Sequence, residues 1–239
     1  MEWNALSGSL GSLVEGSAVV VSAFSGMIAA RRKRMDFVGT FTVAVTTAFG
    51  GGTLRDVLLE RRPLFWVSHQ EYPILIFGLA LVFLYLPQLF QPLHPLAEKT
   101  FDAIDALGLG LFSIAGSAAA VEAGMPVFIA SLFGVITGVF GGILRDVMIN
   151  QIPIVFRQTS LYATCSFVGS WVYLLVLWGG GPMPLADLVG ILATVLLRLG
   201  SIHYNLTLPL PPHLKSGGSE QENNSTKHGS PRDSSLENF

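Results

Sequence analysis

One stretch of this chain occurs twice, as GGTLRDV at residues 51–57 and as GGILRDV at residues 141–147. Working outward from it, residues 13–63 align with residues 103–153 at a constant offset of 90 and without a gap. The other matches fall on glycine, small and polar positions, and they pair Gly26 with Gly116, Thr47 with Thr137, Pro63 with Pro153, and acidic Glu15 with acidic Asp105. The chain is therefore a duplicated unit.

The composition indicates an integral membrane protein. Of the 239 residues, 51% are hydrophobic and only 13% are charged, and the apolar residues gather in stretches too long for a soluble core. A helix needs about 20 apolar residues to cross roughly 30 Å of hydrocarbon. Seven stretches qualify: Leu10–Ala30, Phe37–Leu59, Tyr72–Phe90, Phe101–Val121, Val127–Ile149, Thr159–Leu177 and Leu185–Ile202. Residues 74–84 do not alternate between apolar and polar, so a membrane β-barrel is excluded.

The repeat and the spans together predict an inverted architecture. Each copy holds three crossings, and an odd number places the second copy upside down relative to the first. Inverted repeats build membrane pathways with a site near the midplane. We predict an all-α integral membrane protein with seven transmembrane helices, made of two inverted three-helix repeats plus a seventh helix. The predicted units are 9–92, 98–180 and 183–205, followed by a disordered cytoplasmic tail at 206–239, which has almost no apolar residues.

A run of four basic residues at 31–34 follows the first span and predicts the orientation. Basic loops stay on the cytoplasmic side, so the N-terminus is expected outside and the C-terminus in the cytoplasm. Binding of anionic lipid headgroups is an alternative use of the same run.

Glycines lie in the middle of the second and fifth spans, at Gly50, Gly51, Gly52, Gly141 and Gly142. Glycine costs about 1 kcal/mol relative to alanine inside a helix, so consecutive glycines favour a kink or local unwinding. Backbone carbonyls freed at this depth must face protein or water, which is the geometry of a cation site or a pore lining. The alternative is close helix packing through small residues.

Three hydroxyls next to these glycines are also candidate pore-lining groups: Thr46, Thr47 and Thr137. A hydroxyl lines a wet path without the cost of a charge. Hydroxyls inside helices also bond to their own backbone, and that use is the commoner one.

Two charged pairs, Arg55-Asp56 and Arg145-Asp146, lie close to the ends of the second and fifth spans. The depth of each residue favours contact of Arg55 with Glu15 near the outer side, and of Arg145 with Asp105 near the inner side. We expect two ion pairs that frame the two mouths of one pathway. The alternative is that both arginines simply reach the lipid headgroups.

Other chemistry finds no support in the sequence. Cys165 is the single cysteine, and the five histidines are scattered through loops and tail, so no metal site is predicted. No nucleophile motif or phosphate-binding loop is present, so neither catalytic residues nor a cofactor is expected. A nucleic-acid partner is not expected either.

The paired motifs FGGGTLRDV at 49–57 and FGGILRDV at 140–147 resemble those of the trimeric intracellular cation channels, in their bacterial and archaeal branch. The resemblance covers about residues 10 to 205. It implies two inverted three-helix repeats plus a seventh helix, a homotrimer, and one pore in each subunit beside glycine-kinked second and fifth helices. It further implies potassium as the main permeant ion, with sodium also passing. The Lys-Glu-Val lipid-binding motif of animal members is absent here.

The predicted function is a passive potassium channel in the lipid bilayer of a bacterial inner membrane. The family has also been labelled a glycine transporter domain, so a secondary transporter of a small solute such as glycine is the alternative. A scaffold or lipid-binding membrane protein without flux is a third possibility. The sequence has neither an acidic ring nor an obvious carbonyl filter, which favours loose ion selectivity.

Overall fold

A computed structural model describes residues 2–86, 97–157 and 161–207 of the chain. These residues form eight α-helices and one 3-10 turn, without a strand. The helices are α1 Glu2–Arg32, α2 Phe37–Leu58, α3 Phe65–Ser68, α4 Glu71–Tyr85, α5 Ala97–Glu122, α6 Val127–Met148, α7 Ala163–Trp178 and α8 Met183–His203, with the 3-10 turn at Ile154–Phe156. The predicted all-helical class is confirmed.

Five helical segments among the described residues are long and apolar enough to span a membrane: Gly11–Arg32, Phe37–Leu58, Lys99–Glu122, Val127–Met148 and Met183–His203. The apolar helices α4 and α7 have only 15 and 16 residues. At 1.5 Å per residue each is about 23 Å long, shorter than the hydrocarbon layer. Both helices are shorter than the predicted third and sixth spans, of which residues 87–90 and 159–160 lie outside the described residues.

Turn geometry repeats at the same offset as the sequence. Arg34 and Gly124 follow the first helix of each copy with φ of 55° and 73°, and Glu60 and Asn150 follow the second with φ of 56° and 55°. A residue in the left-handed region just past a helix end lets the following N–H groups bond to the last carbonyls. Arg34 and Gly124 are 90 residues apart, and so are Glu60 and Asn150. The duplication therefore extends to the helix caps.

Helices α2 and α6 cross at their glycines in antiparallel order. A Cβ atom on Gly51 would overlap the carbonyl oxygen of Thr137, and one on Gly141 would overlap the carbonyl oxygen of Thr47. These two contacts are equivalent under the repeat, as in a two-fold related pair. The backbones touch because neither glycine carries a side chain.

Both helices continue as α-helix through the glycines, so the expected local unwinding is wrong. The backbone carbonyls there stay within the helical hydrogen-bond ladder. Close packing, the alternative use of the glycines, is what the structure shows at Gly51 and Gly141. A bend of either helix stays a prediction.

The remaining helices pack around this crossing. Helix α1 lies on α2 at Gly26, whose added Cβ would be 2.8 Å from the Ala44 Cα, and α5 lies on α6 at the equivalent Gly116. Helix α8 contacts the segment before α7, where Arg198 Nη1 donates to the Leu161 carbonyl at 3.1 Å. The predicted tail falls almost entirely at residues 208–239, outside the described residues.

Candidate functional site

The first charged cluster joins the start of the apolar part of α1 to the end of α2. Arg55 Nη2 lies 2.8 Å from Glu15 Oε1, and Arg55 Nε donates to Asp56 Oδ1 at 2.8 Å. Asp56 Oδ2 accepts the backbone N–H of Phe65 at 2.8 Å, and the guanidinium lies over the Phe65 ring. Arg55 is therefore held between two carboxylates and an aromatic face, and it is only 2% exposed.

The second cluster repeats these contacts between α5 and α6. Arg145 Nη1 pairs with Asp105 Oδ1, and Arg145 Nε donates to Asp146 Oδ1 at 2.9 Å. Asp146 Oδ2 accepts the backbone N–H of Ile154 at 2.9 Å, and the guanidinium lies over the Phe101 ring. Both expected charge pairings are therefore in contact, while their role at a pathway stays a prediction.

Burial excludes the alternative in which these arginines reach the lipid headgroups, because Arg145 is 1% exposed and Arg55 is 2% exposed. The clusters differ in one partner. Arg145 Nη1 also donates to Ser25 Oγ at 2.6 Å, whereas the position equivalent to Ser25 is occupied by Ala115. The Glu15 side chain keeps 18% of its surface accessible and the Asp105 side chain 6%. The Arg145 cluster is thus the more tightly sealed.

A cavity of about 280 Å³ opens beside the first cluster, and we call it the Glu15 vestibule. Its lining comes from α1, α2, α5, α8 and the loop after α2: Gly11, Ser12, Val14, Glu15, Arg55, Arg61, Ile114, Ala115, Ala118, Ala119, Glu122, Met183 and Asp187.

A second cavity of about 310 Å³ lies at the other ends of α1 and α5, and we call it the Arg32 vestibule. It is lined by Ala29, Arg32, Lys33, Phe101, Asp102, Asp146, Ile149, Gln151, Ile154 and Arg157. Several of its residues are 90 positions from those of the Glu15 vestibule, as Gln151 is from Arg61, Ala29 from Ala119 and Arg32 from Glu122. The two vestibules are therefore counterparts under the repeat.

Between the vestibules lies a central cavity of about 10 Å³. Its lining includes Ser22 and Ser25 of α1, while the vestibules take residues 11–15 and 29–32 of that helix. Helix α5 contributes in the opposite order, so the three spaces follow one another along the two helices. The central cavity has room for about one water molecule. The structure therefore holds a line of cavities that is closed in the middle.

Three of the predicted pore-lining residues, Thr47, Gly141 and Gly142, line the central cavity. The Thr47 hydroxyl donates to the Val43 carbonyl at 2.6 Å, and Thr137 does the same to Phe133 at 2.7 Å. These hydroxyl protons are used within their own helices, so only their oxygen lone pairs are available to an ion.

The other predicted lining residues lie at helix contacts or are partly exposed. A Cβ on Gly50 would be 2.6 Å from Leu144 Cδ1, and Gly52 packs against the Phe65 ring. Thr46 is partly exposed, and Thr137 is buried under Gly116. Their assignment to a pore stays a prediction.

Tyr162 and Asp187 are among the cavity residues that sequence reasoning missed. Tyr162 precedes α7 and lines the central cavity. Asp187 of α8 lines the Glu15 vestibule and is 8% exposed. The signal for Asp187 was available, since an ionisable residue within an apolar span marks a functional position by default. Within the described residues no group of three or more His, Cys, Asp or Glu side chains could hold a metal ion.

Comparison with known proteins gives matches over most of the chain. Residues 12–88 and 102–178 each match the family described as "Glycine transporter", and both ends of the two segments differ by 90. The "UPF0126 inner membrane protein YadS" of Escherichia coli K12 is 36% identical over 197 residues, which are 82% of this chain and 92% of that protein. A "UPF0126 membrane protein" of Vibrio cholerae is 37% identical over 206 residues, or 86% of this chain and 84% of that protein.

Solved structures match as well. The TRIC trimeric intracellular cation channel orthologue from Rhodobacter sphaeroides superposes with a TM-score of 0.75 at 30% identity, over 83% of this chain and all of that one. A prokaryotic TRIC channel gives a TM-score of 0.75 at 28% identity, over 84% of this chain and 99% of the other. The fold is therefore TRIC-like.

Proposed function

From its place in the glycine transporter (UPF0126) family, to which this chain belongs, we propose that it is a passive monovalent cation channel with one pore in each subunit. Potassium is the main permeant ion, and sodium also passes. Homology to solved TRIC cation channels at 30% identity supports the channel class. The chain is not an enzyme, since its solved relatives are channels.

The observation that carries the proposal is the line of three cavities inside a single subunit. Two vestibules of about 280 and 310 Å³ approach each other along α1 and α5, with the central cavity between them. The cluster centred on Arg55 lies on the Glu15 vestibule, whereas Asp105 and Arg145 line the central cavity and Asp146 lines the Arg32 vestibule. We assign Glu15, Arg55 and Asp56 to one mouth of the pore, and Asp105, Arg145 and Asp146 to the inner end of the other mouth.

The pore is closed in this conformation, because a cavity of about 10 Å³ does not pass a potassium ion with its water. Opening requires α2 and α6 to shift at their crossing, where Gly51 and Gly141 touch the opposite backbone. We propose Thr46, Thr47, Thr137 and the glycines of both helices as the lining that moves.

A secondary transporter of glycine is the second candidate, and the family description supports it. A transporter holds its substrate in an occluded site between two gates. The central cavity stands where such a site would lie, but its volume suits one water rather than an amino acid. The channel is therefore the better-supported function.

The chain is a multi-pass protein of the cell membrane, like its curated relatives. We propose that it forms a homotrimer in the inner membrane with its N-terminus outside and its C-terminus in the cytoplasm. Residues 9–92 and 98–180 would be the two inverted repeats, and 183–205 the seventh crossing.

The test is potassium flux into liposomes that hold the purified protein, with glycine uptake measured in parallel. Gly142→Leu should abolish flux, because Gly142 lines the central cavity and a Cβ there would be only 3.1 Å from the Tyr162 hydroxyl. Gly78→Leu is the matched control, since a Cβ at Gly78 has nothing within 4 Å.

Wild type and the Gly78 variant should show a potassium flux that does not saturate. Saturable glycine uptake without potassium conductance would move the protein to the transporter class. Flux of neither solute in wild type would leave both functions without support.

A further inference from the structure

Asp187 is a buried carboxylate without a partner on the wall of the Glu15 vestibule. It lies one turn into α8, is 8% exposed, and contributes to the lining of the 280 Å³ space. Across the described ranges, it has no hydrogen bond or ion pair. The other two carboxylates of the vestibule each contact an arginine: Glu15 at 2.8 Å and Glu122 at 3.8 Å.

A buried charge without a counter-charge is costly, so such a group is neutral or carries an ion. The vestibule is large enough for a partly hydrated ion beside Asp187, since it exceeds many times the volume of one water. The site does not suit calcium, which takes 6–8 oxygen ligands, because no group of three acidic, histidine or cysteine side chains comes together among the described residues. A single carboxylate with water suits a weakly held monovalent cation.

We propose that Asp187 forms a binding site for a hydrated monovalent cation, potassium or sodium, at the Glu15 mouth. The inference deepens the proposed channel function and rests on it for the role of the site, which is to raise the local cation concentration at the entrance. Helix α8 has no counterpart in the repeat, so the Arg32 vestibule has no equivalent carboxylate from this helix. The site therefore belongs to one mouth only.

The first measurement does not depend on conduction. Thermal unfolding of the purified protein is followed in equal concentrations of KCl and choline chloride, because an ion that binds only the folded state raises the melting temperature. Wild type should melt higher in KCl. Asp187→Asn keeps the shape of the side chain and should remove the difference, and Asp187→Glu should retain it.

The matched control is Glu71→Gln, which removes one carboxylate at the start of α4, outside the vestibule and 62% exposed. It should keep the KCl preference of wild type. A wild type without that preference overturns the proposal, and so does a preference that survives in Asp187→Asn or disappears equally in the Glu71 variant.

The second measurement is potassium conductance, which tests whether Asp187 concentrates cations at the entrance. In water one unit charge changes the concentration of cations about 7 Å away roughly threefold, so Asp187→Asn should lower potassium conductance at low salt by a factor of about that size. At high salt the two proteins should converge, because the charge is screened. Equal conductance of wild type and Asp187→Asn at low salt would show that Asp187 does not concentrate cations at the entrance. If wild type carries no potassium current, the channel function fails, whereas the melting experiment still decides whether the site exists.

Discussion

At the scale of single residues, Arg55 and Arg145 are buried arginines that are held from several sides. Each is held by two carboxylates and lies over an aromatic ring, with the Arg145 guanidinium 4.8 Å from the centre of Phe101 and that of Arg55 5.3 Å from Phe65. Each adjacent aspartate uses its second oxygen to hold the backbone of the loop that follows. One charged cluster therefore fixes both a helix pair and the loop at its end.

Removing one arginine should be far more damaging than removing a surface arginine. Arg145→Met leaves Asp105 and Asp146 buried without their counter-charge, and breaking a buried pair on one side costs about 3–5 kcal/mol. The measurement is the free energy of unfolding in mixed micelles.

Arg61→Met is the control for this prediction. Arg61 lies 3.8 Å from Glu122 with 46% of its side chain exposed. Exposed pairs contribute about 0–1 kcal/mol, so this variant should unfold almost like wild type. Equal losses in the two variants would contradict the assigned difference in burial.

The charged residues around Arg55 and Arg145 were predicted from the repeat and from their depth in the spans. Both arguments work only for a residue that has an equivalent residue in the other copy. Ser25 has no such counterpart, since position 115 is alanine, and Asp187 lies in the helix outside the repeat. The contact of Ser25 with Arg145, at 2.6 Å, forms only in the folded protein. No repeated pattern in the sequence predicts it.

At the scale of helices, the crossing of α2 and α6 depends on the absence of two side chains. Gly51→Ala and Gly141→Ala should each destabilise the protein, because the added methyl overlaps a backbone carbonyl of the other helix. Overpacking of this kind costs about 1–3 kcal/mol. The same unfolding assay should give similar losses for the two variants, since their contacts are equivalent under the repeat.

Gly78→Ala is the control at this scale. A methyl there meets nothing within 4 Å, and alanine is the better helix former by about 0.5–1 kcal/mol. This variant should be neutral or slightly stabilised. A stable Gly51→Ala protein would argue against the close crossing.

The helical class followed from hydropathy, but the number of helices and their ends did not. The short α3, Phe65–Ser68, was not anticipated, because four residues have no usable period and its start is fixed by a contact, the N–H of Phe65 with Asp56. Helix α7 begins only at Ala163, after the non-helical residues Leu161 and Tyr162.

At the scale of the whole molecule, the orientation can be tested with one matched pair of cysteines. Arg61→Cys lies after α2 and Lys33→Cys after α1, so they belong to opposite sides if each helix crosses the membrane once. A membrane-impermeant maleimide should label only Arg61→Cys in intact cells. The native Cys165 is 3% exposed and should give little background. Labelling of Lys33→Cys instead would reverse the topology.

The trimer is also a prediction at this scale. Light scattering of the detergent-purified protein, corrected for bound detergent, should give three times the chain mass of 25.6 kDa. Each subunit contains its own line of cavities, so a subunit held as a monomer should still conduct if it stays folded. Loss of flux on dissociation, with the fold intact, would place the pore between subunits.

The repeat makes the two vestibules counterparts in shape, but their charges have diverged. Carboxylates outnumber basic groups in the Glu15 vestibule by three to two, whereas basic groups outnumber carboxylates by three to two in the Arg32 vestibule. Glu122 and Arg32 occupy equivalent positions with opposite sign. Local charge sets the supply of cations at each entrance, and salt suppresses it. A pore along this route would therefore rectify at low ionic strength. It would pass more cation current from the Glu15 side than from the Arg32 side at equal and opposite voltages.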